Sequence, residues 1–163
     1  MAAQPLIQLS NISYVSFEGL SVAYSRSDAI ALMNCSFVQF VNVSVSNAGI
    51  AGIVIADGKN NTLRGVHVAH TGGCGVQIDA DDAVGLKPSG HLVEHCTIHD
   101  FSRRCLTYNP GIHAYGVGIR VASSEIYNGP HSGILTSGND NIFEDNVIHH
   151  TIQQVYLFAP SPL

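Results

Sequence analysis

The sequence repeats itself, and this repeat limits the possible folds more than any other feature. One column of valine and isoleucine recurs at spacings of 23, 23, 30, 28 and 22 residues: Val22, Val45, Val68, Ile98, Ile126 and Ile148. Five residues before this anchor column stand Phe17, Phe40, Leu63, Val93, Val121 and Phe143. Eight residues after it stand Ile30, Ile53, Val76, Leu106, Ile134 and Tyr156, and ten after it Leu32, Ile55, Ile78, Tyr108, Thr136 and Phe158. Such a period indicates a solenoid of stacked rungs.

The apolar residues within each rung come in i, i+2 pairs, which is the periodicity of β-strands. The connections are short and rich in Gly, Asn, Asp and Ser, so they favour turns over helices. A leucine-rich repeat would place Asn or Cys three residues after its last apolar position, and no rung does so. We therefore predict an all-β, right-handed parallel β-helix of about six coils, with the hand taken from the rule for parallel crossovers. It forms one domain over residues 1–163, with an atypical segment at 151–163.

Two rungs are longer than the others. Aligned on the template, both take their extra residues at one corner, after Ile78 (residues 79–90) and after Tyr108 (residues 109–118). Insertions in a solenoid often lie on its binding face. They can equally serve only to shield a sheet edge.

Charge and composition exclude several classes of partner. The net charge is -5, and there is no run of basic residues to neutralise phosphates, so we expect no nucleic-acid partner. The apolar stretches are too short for a membrane span, and the first residues lack the basic start of a secretion signal, so we expect neither membrane association nor a targeting signal in this chain. The four cysteines form no C-x-x-C pair, and we expect no cofactor.

Polar and aromatic residues flank the anchor column in the last three rungs. Because residues next to an inward-facing strand position point outward, stacking places His99, Tyr127 and His149 in one exposed row with Glu125 beside it. Such a surface could hydrogen-bond sugar hydroxyls, stack on pyranose faces and transfer protons. An ordinary solvated sheet face is the alternative.

A second group lies at the following turn. On the template Arg103 lies under His131, with Arg104 adjacent and Asp100 within reach. An arginine here could bind the uronate or sulfate group of an acidic glycan, or simply pair with Asp100.

Metal binding is not indicated by the sequence. His149 and His150 are strand neighbours and should face opposite sides, so a metal site would need a partner from another rung, such as His99.

Two segments resemble a known group of proteins: residues 86–103 and residues 111–150, GIHAYGVGIRVASSEIYNGPHSGILTSGNDNIFEDNVIHH. They are similar to large right-handed parallel β-helix proteins of the pectate-lyase-like superfamily, related to polysaccharide-degrading glycoside hydrolases. The group's Pro-His-x-Ala-Ile-x-x-x-Gly-Asn-Asp signature stands here as Pro130-His131-Ser132-Gly133-Ile134 and Gly138-Asn139-Asp140. The resemblance implies an extracellular or periplasmic full-length relative that processes carbohydrate. The resemblance aligns Asp81, Asp82, Arg103 and His131 with positions in the sequences of this group.

The sequence departs from this group after residue 150. An Asp-x-Gly-Ala-x-Tyr motif, where a catalytic carboxylate is expected, does not follow; the chain instead continues TIQQVYLFAPSPL. The resemblance therefore implies a fragment or shortened product whose open coil ends would favour self-association.

Three functions remain open: a glycoside hydrolase or lyase that has lost its catalytic coil, a noncatalytic module that binds polysaccharide or oligosaccharide, and a structural remnant. The candidate catalytic residues are Asp100, Glu125 and His131. The candidate substrate-binding residues are His99, Arg103, Tyr127, His149, Asp81 and Asp82.

Overall fold

The computed structural model describes residues 4–80 and 85–153, which form three parallel sheets of six strands each. Sheet A contains the longer strands β1 (Ile7–Ser10), β4 (Ile30–Ser36), β7 (Ile53–Lys59), β10 (Val76–Ala80), β13 (Ile112–Val117) and β16 (Ile134–Asn139). Sheet B contains β2 (Ser16–Glu18), β5 (Gln39–Val41), β8 (Thr62–Arg64), β11 (Leu92–Glu94), β14 (Arg120–Ala122) and β17 (Ile142–Glu144). Sheet C contains β3 (Ser21–Ala23), β6 (Ser44–Ser46), β9 (His67–Ala69), β12 (Thr97–His99), β15 (Glu125–Tyr127) and β18 (Val147–His149).

Each rung contributes one strand to each sheet, so the chain forms a parallel β-helix of six coils. The anchor column lies in register through sheet C, from the Val22–Val45 pair to the Ile126–Ile148 pair. The column five residues earlier lies in register through sheet B, from Phe17 onward. The predicted fold class and the number of coils are confirmed.

The prediction is wrong for sheet A in the fourth rung. There Ile112 and Ala114 pair with Val76 and Ile78, and both are fully buried. Leu106 and Tyr108 instead lie in the connection 100–111, where Tyr108 is 77% exposed. The apolar-x-apolar spacing at Leu106 resembles a strand, but Ile112 and Ala114 form the pair that lies in register with Val76 and Ile78 inside the coil.

This shift also moves the second insertion to another corner. Residues 100–111 enter sheet A from sheet C, whereas the residues after Ala80 lead from sheet A to sheet B. The insertions therefore flank sheet A on opposite sides, and they do not share the corner that the sequence predicted. Among the template residues, Tyr156 and Phe158 lie outside the described part of the chain.

The interior combines stacked apolar columns with polar ladders at two corners. Phe17 and Phe40 stack with ring centroids 4.9 Å apart. At the corner before sheet B, the side-chain oxygens of Asn61 and Asn141 accept hydrogen bonds from backbone N–H groups of the preceding rung. Ser124 and Asn146 do the same before sheet C. These bonds satisfy backbone groups that the turns remove from the sheets.

The second insertion is fixed to the body of the coil by Phe101, which is fully buried. After it the backbone N–H groups of Ser102, Arg103 and Arg104 donate to carbonyls of the turn 71–73 in the rung below. The base of this long connection is therefore held in place. Across the described residues, no helix is long and apolar enough to span a membrane.

Candidate functional site

Four aromatic rings form a continuous row on the outer face of sheet C. The row, called here the histidine–tyrosine row, consists of His67, His99, Tyr127 and His149. The ring of Tyr127 lies between those of His99 and His149, at centroid distances of 4.7 and 5.1 Å and nearly parallel to both. His67 extends the row, with its ring centroid 4.9 Å from that of His99. The predicted row is therefore present, and one residue longer than the sequence suggested.

The rings present their edges to solvent, because their faces are turned toward each other. A pyranose that stacks on an aromatic side chain needs a free ring face. The inner rings, His99 and Tyr127, have no such face to offer, so the expected stacking on pyranose faces is wrong for them. The row can instead offer ring nitrogens and the Tyr127 hydroxyl as hydrogen-bonding groups at a fixed spacing.

One carboxylate orients the imidazole at the centre of this row. His99 Nδ1 lies 2.6 Å from Asp100 Oδ2, and His99 Nε2 lies 2.8 Å from His67 Nε2. Both contacts are satisfied when His99 carries its proton on Nδ1 and accepts a hydrogen bond from His67. Burial, and next the charges of His99 and His70, lower the pKa of His67. His67 therefore favours its neutral form.

A second carboxylate and histidine pair lies two rungs further along. His149 Nε2 donates to Glu125 Oε1 at 3.1 Å, and His149 Nδ1 lies 2.6 Å from His150 Nδ1. The expectation that His149 and His150 face opposite sides is wrong. His149 ends β18 and His150 adopts a φ of 49°, so strand alternation stops before His150 and the two rings meet.

A cationic groove lies beside the row, at the turn that follows sheet C. Arg103, Arg104 and His70 line this arginine groove together with Asn47 and Thr71, around a shallow volume of about 390 Å³. His70 also reaches the row, since its Nδ1 is 3.9 Å from Asp100 Oδ2 and its ring meets that of His99 edge-on.

The arginines in this groove carry no ion pair within the described residues, whereas two other arginines of the chain do. Arg64 pairs with Glu94 at 2.5 Å, and Arg120 pairs with Glu144. The expected alternative, a simple pair between Arg103 and Asp100, is therefore absent from the contacts of the described chain. Asp100 is engaged by histidines instead.

The remaining predicted residues lie apart from the row. His131 packs its ring against Tyr108 of the second insertion, with centroids 5.5 Å apart, while Arg103 lies beside His70. The predicted stacking of Arg103 under His131 is wrong, because the insertion displaces the template alignment. Asp81 and Asp82 lie outside the described residues. The three catalytic candidates thus have different partners: His99 for Asp100, His149 for Glu125 and Tyr108 for His131.

Two histidines of the site were missed by the sequence analysis. His67 occupies the outward position before the anchor, where the earlier rungs carry Ser21 and Ser44. His70 takes the left-handed turn position with a φ of 58°, which turns its side chain outward. The sequence does contain a signal for His67, because it directly precedes the anchor residue of the third rung, Val68, and must therefore point outward. The contact of His70 with Asp100 depends on turn geometry that spacing alone does not give.

Within residues 4–80 and 85–153, no three His, Cys, Asp or Glu side chains converge in a way that could hold a metal ion. Burial raises the pKa of the thiols of Cys74 and Cys96 to about 11, so both stay protonated and unreactive near neutral pH.

Comparison with known proteins agrees with the fold. No curated protein and no solved structure matches the chain. Residues 5–146 match the family model described as "Right handed beta helix region". The match spans every strand of the three sheets except β18, and every member of the histidine–tyrosine row except His149, which lies on that strand. The chain therefore belongs to the right-handed β-helix family.

Proposed function

We propose that this protein is a carbohydrate-binding β-helix module whose ligand is an acidic polysaccharide or oligosaccharide. The arginine groove carries the proposal. Two adjacent arginines that form no ion pair with any acidic residue of 4–80 and 85–153, beside a histidine, form a local cationic site on a chain whose net charge is -5. Guanidinium groups bind carboxylates and sulfates through paired hydrogen bonds, so a uronate or sulfated sugar fits this groove.

The histidine–tyrosine row extends the binding surface from the groove along the coil. Neighbouring strands of a sheet lie about 4.8 Å apart, and four rungs therefore offer a line of ring edges about 15 Å long. Sugar hydroxyls along an extended chain need such fixed donors and acceptors for orientation. His70 links the two parts, because it lines the groove and contacts Asp100.

Acid–base catalysis on the same glycan is the second candidate function. With this activity the protein would act as the glycoside hydrolases do. This function is favoured by the two hydrogen-bonded pairs, Asp100 with His99 and Glu125 with His149. A carboxylate that fixes an imidazole tautomer prepares it for proton transfer. Glycoside hydrolysis usually needs two carboxyl groups across one bond, and here each carboxylate is committed to a different histidine. Binding is thus the better supported function.

A glycan ligand of this kind fits the extracellular or periplasmic location that the sequence resemblance implies. Acidic glycans are found outside the cell membrane. The four Asn-x-Ser/Thr sites in the first 62 residues are compatible with that location, although such triplets are common in turns of this composition. We therefore propose an extracellular or periplasmic location together with the acidic glycan ligand.

Isothermal titration with oligogalacturonate, a sulfated oligosaccharide and a neutral glucan tests the proposal. We expect binding of an acidic glycan only, and at least a tenfold loss of affinity in Arg103→Ala, since a charge-assisted contact contributes about 1.5–3 kcal/mol. Arg64→Ala is the matched control, because Arg64 is an exposed arginine already paired with Glu94. Equal binding of the neutral glucan, or equal losses in both variants, would contradict the proposal.

A further inference from the structure

Two ring nitrogens at the centre of the histidine–tyrosine row lie close enough together to bind one ion in place of the hydrogen bond that now joins them. His67 lies on β9 and His99 on the neighbouring β12, and their Nε2 atoms face each other at 2.8 Å. Both histidines come from adjacent strands of a sheet whose register is fixed by the buried Val68–Ile98 pair. The coil therefore holds the two strands in register with His67 diagonal to His99, and the side-chain directions bring the two Nε2 atoms together.

This separation is that of a hydrogen bond between the rings, and it is also the one that two ligands of a tetragonal ion need. Two nitrogens bound at about 2.0 Å and at a right angle to one another lie about 2.8 Å apart, as in square-planar and tetragonal complexes. A tetrahedral ion with the same bond length would need about 3.3 Å. The pair thus fits copper(II), which prefers imidazole ligands in a tetragonal arrangement and leads the affinity order of the divalent first-row metals.

The surroundings of His99 have the second feature of a metal ligand. Its Nδ1 hydrogen bonds to Asp100 Oδ2 at 2.6 Å, which leaves Nε2 of the neutral ring with a lone pair that can bind an ion. Histidines that bind metals usually donate their other ring N–H to a carboxylate in this way. Tyr127 stacks on the same ring and holds its orientation from the other side.

We propose that His67 and His99 bind one copper(II) ion through their Nε2 atoms, with Asp100 as the positioning residue. Water completes the coordination shell, since the described residues offer no converging set of three protein ligands. On binding, the proton that His67 shares through Nε2 moves to its Nδ1, so both imidazoles stay neutral and no ligand has to lose a net proton.

The His149–His150 pair resembles this arrangement but is a poorer chelate. Its nitrogens are 2.6 Å apart and belong to consecutive residues. Strand β18 also has a neighbour on one side only within the described chain, whereas β12 is held between β9 and β15. The first equivalent of metal should therefore bind at His67 and His99.

Copper(II) added at one equivalent to the metal-free protein, with glycine as competitor, tests the site. The measurements are affinity by calorimetry and nitrogen splitting in the electron paramagnetic resonance spectrum. We expect two equatorial imidazole nitrogens in the wild type. His67→Gln or His99→Gln should remove one of them and lower the affinity at least tenfold. Asp100→Asn should keep both nitrogens but weaken binding about 10–100-fold.

His113→Gln and His149→Gln are the controls, because both remove a histidine outside the proposed pair, and Arg103→Ala separates this proposal from glycan binding. All three should keep the affinity and the spectrum of the first copper(II) ion. Circular dichroism confirms that each variant is folded. The proposal is overturned if wild type binds no copper(II), if His149→Gln abolishes the first site, or if His67→Gln and His99→Gln change nothing.

Discussion

At the scale of single residues, His91 is a buried histidine that replaces an asparagine in an internal ladder. Its Nδ1 accepts the backbone N–H of Asn61 at 3.2 Å, in the position where other rungs use Asn61 and Asn141. Its Nε2 is the only buried side-chain nitrogen or oxygen without a partner in residues 4–80 and 85–153. Burial lowers the pKa of His91 to about 4.

This depressed pKa predicts an acid-sensitive fold. The unfolded chain takes up a proton on His91 below its ordinary pKa of about 6.5, whereas the folded chain does so only near pH 4. The free energy of unfolding should therefore fall as the pH drops from about 6.5 to 4, by up to about 3 kcal/mol from this residue. His91→Asn keeps an acceptor for Asn61 and removes the titration. Urea unfolding across this range should show a shallower pH dependence in the variant, and identical slopes would contradict the assignment.

At the scale of the structural element, Phe101 joins the second insertion to the coil. A Cβ atom added at Gly129 would come within 1.9 Å of the Phe101 ring, and one added at Gly111 would come within 3.1 Å of it. Glycine at these two positions leaves room for the ring. The long connection 100–111 can therefore begin from a buried, ordered residue and still carry Arg103 and Arg104 at its surface.

Gly129→Ala should consequently destabilise the protein by about 1–3 kcal/mol through overpacking. Phe101→Leu relieves the clash, so the double variant should lose less stability than the two single losses combined, with a coupling of about 0.5–3 kcal/mol. Thermal or urea unfolding of the four proteins measures this. Strictly additive losses would show that Phe101 does not pack against Gly129.

The strands of sheets B and C were predictable because no insertion falls between their two apolar columns, which stay five residues apart in every rung. A spacing rule could not place the strand of the fourth rung, since Leu106-x-Tyr108 and Ile112-x-Ala114 both have the right periodicity. Burial decided between them. Most of the histidine–tyrosine row was predictable too, because side chains alternate along a strand and the residues next to a buried position therefore point outward. The contacts His67–His99 and His149–His150 depend on diagonal side-chain directions and left-handed turns, which a period of two does not describe.

At the scale of the whole molecule, the coil has open strand edges within the described chain. Strands β16, β17 and β18 each pair on one side only, and Ile142 and Val147 are more than half exposed there. Such edges promote pairing between molecules. The expected self-association stays a prediction. In light scattering, the chain should form dimers or larger species that Val147→Lys weakens, while Ser44→Lys has no effect, because it lies on strand β6, which is paired on both sides. A monomer at high concentration would contradict it.

If acidic glycans bind along the arginine groove and the histidine–tyrosine row, titration of the isotope-labelled protein with oligogalacturonate should change the amide chemical shifts of these two regions. We expect the largest shifts at residues 67–72 and 97–104, with further shifts through 125–150. Shifts that concentrate in the first two rungs or on the outer face of sheet A, or no shifts at saturating ligand, would contradict the proposal.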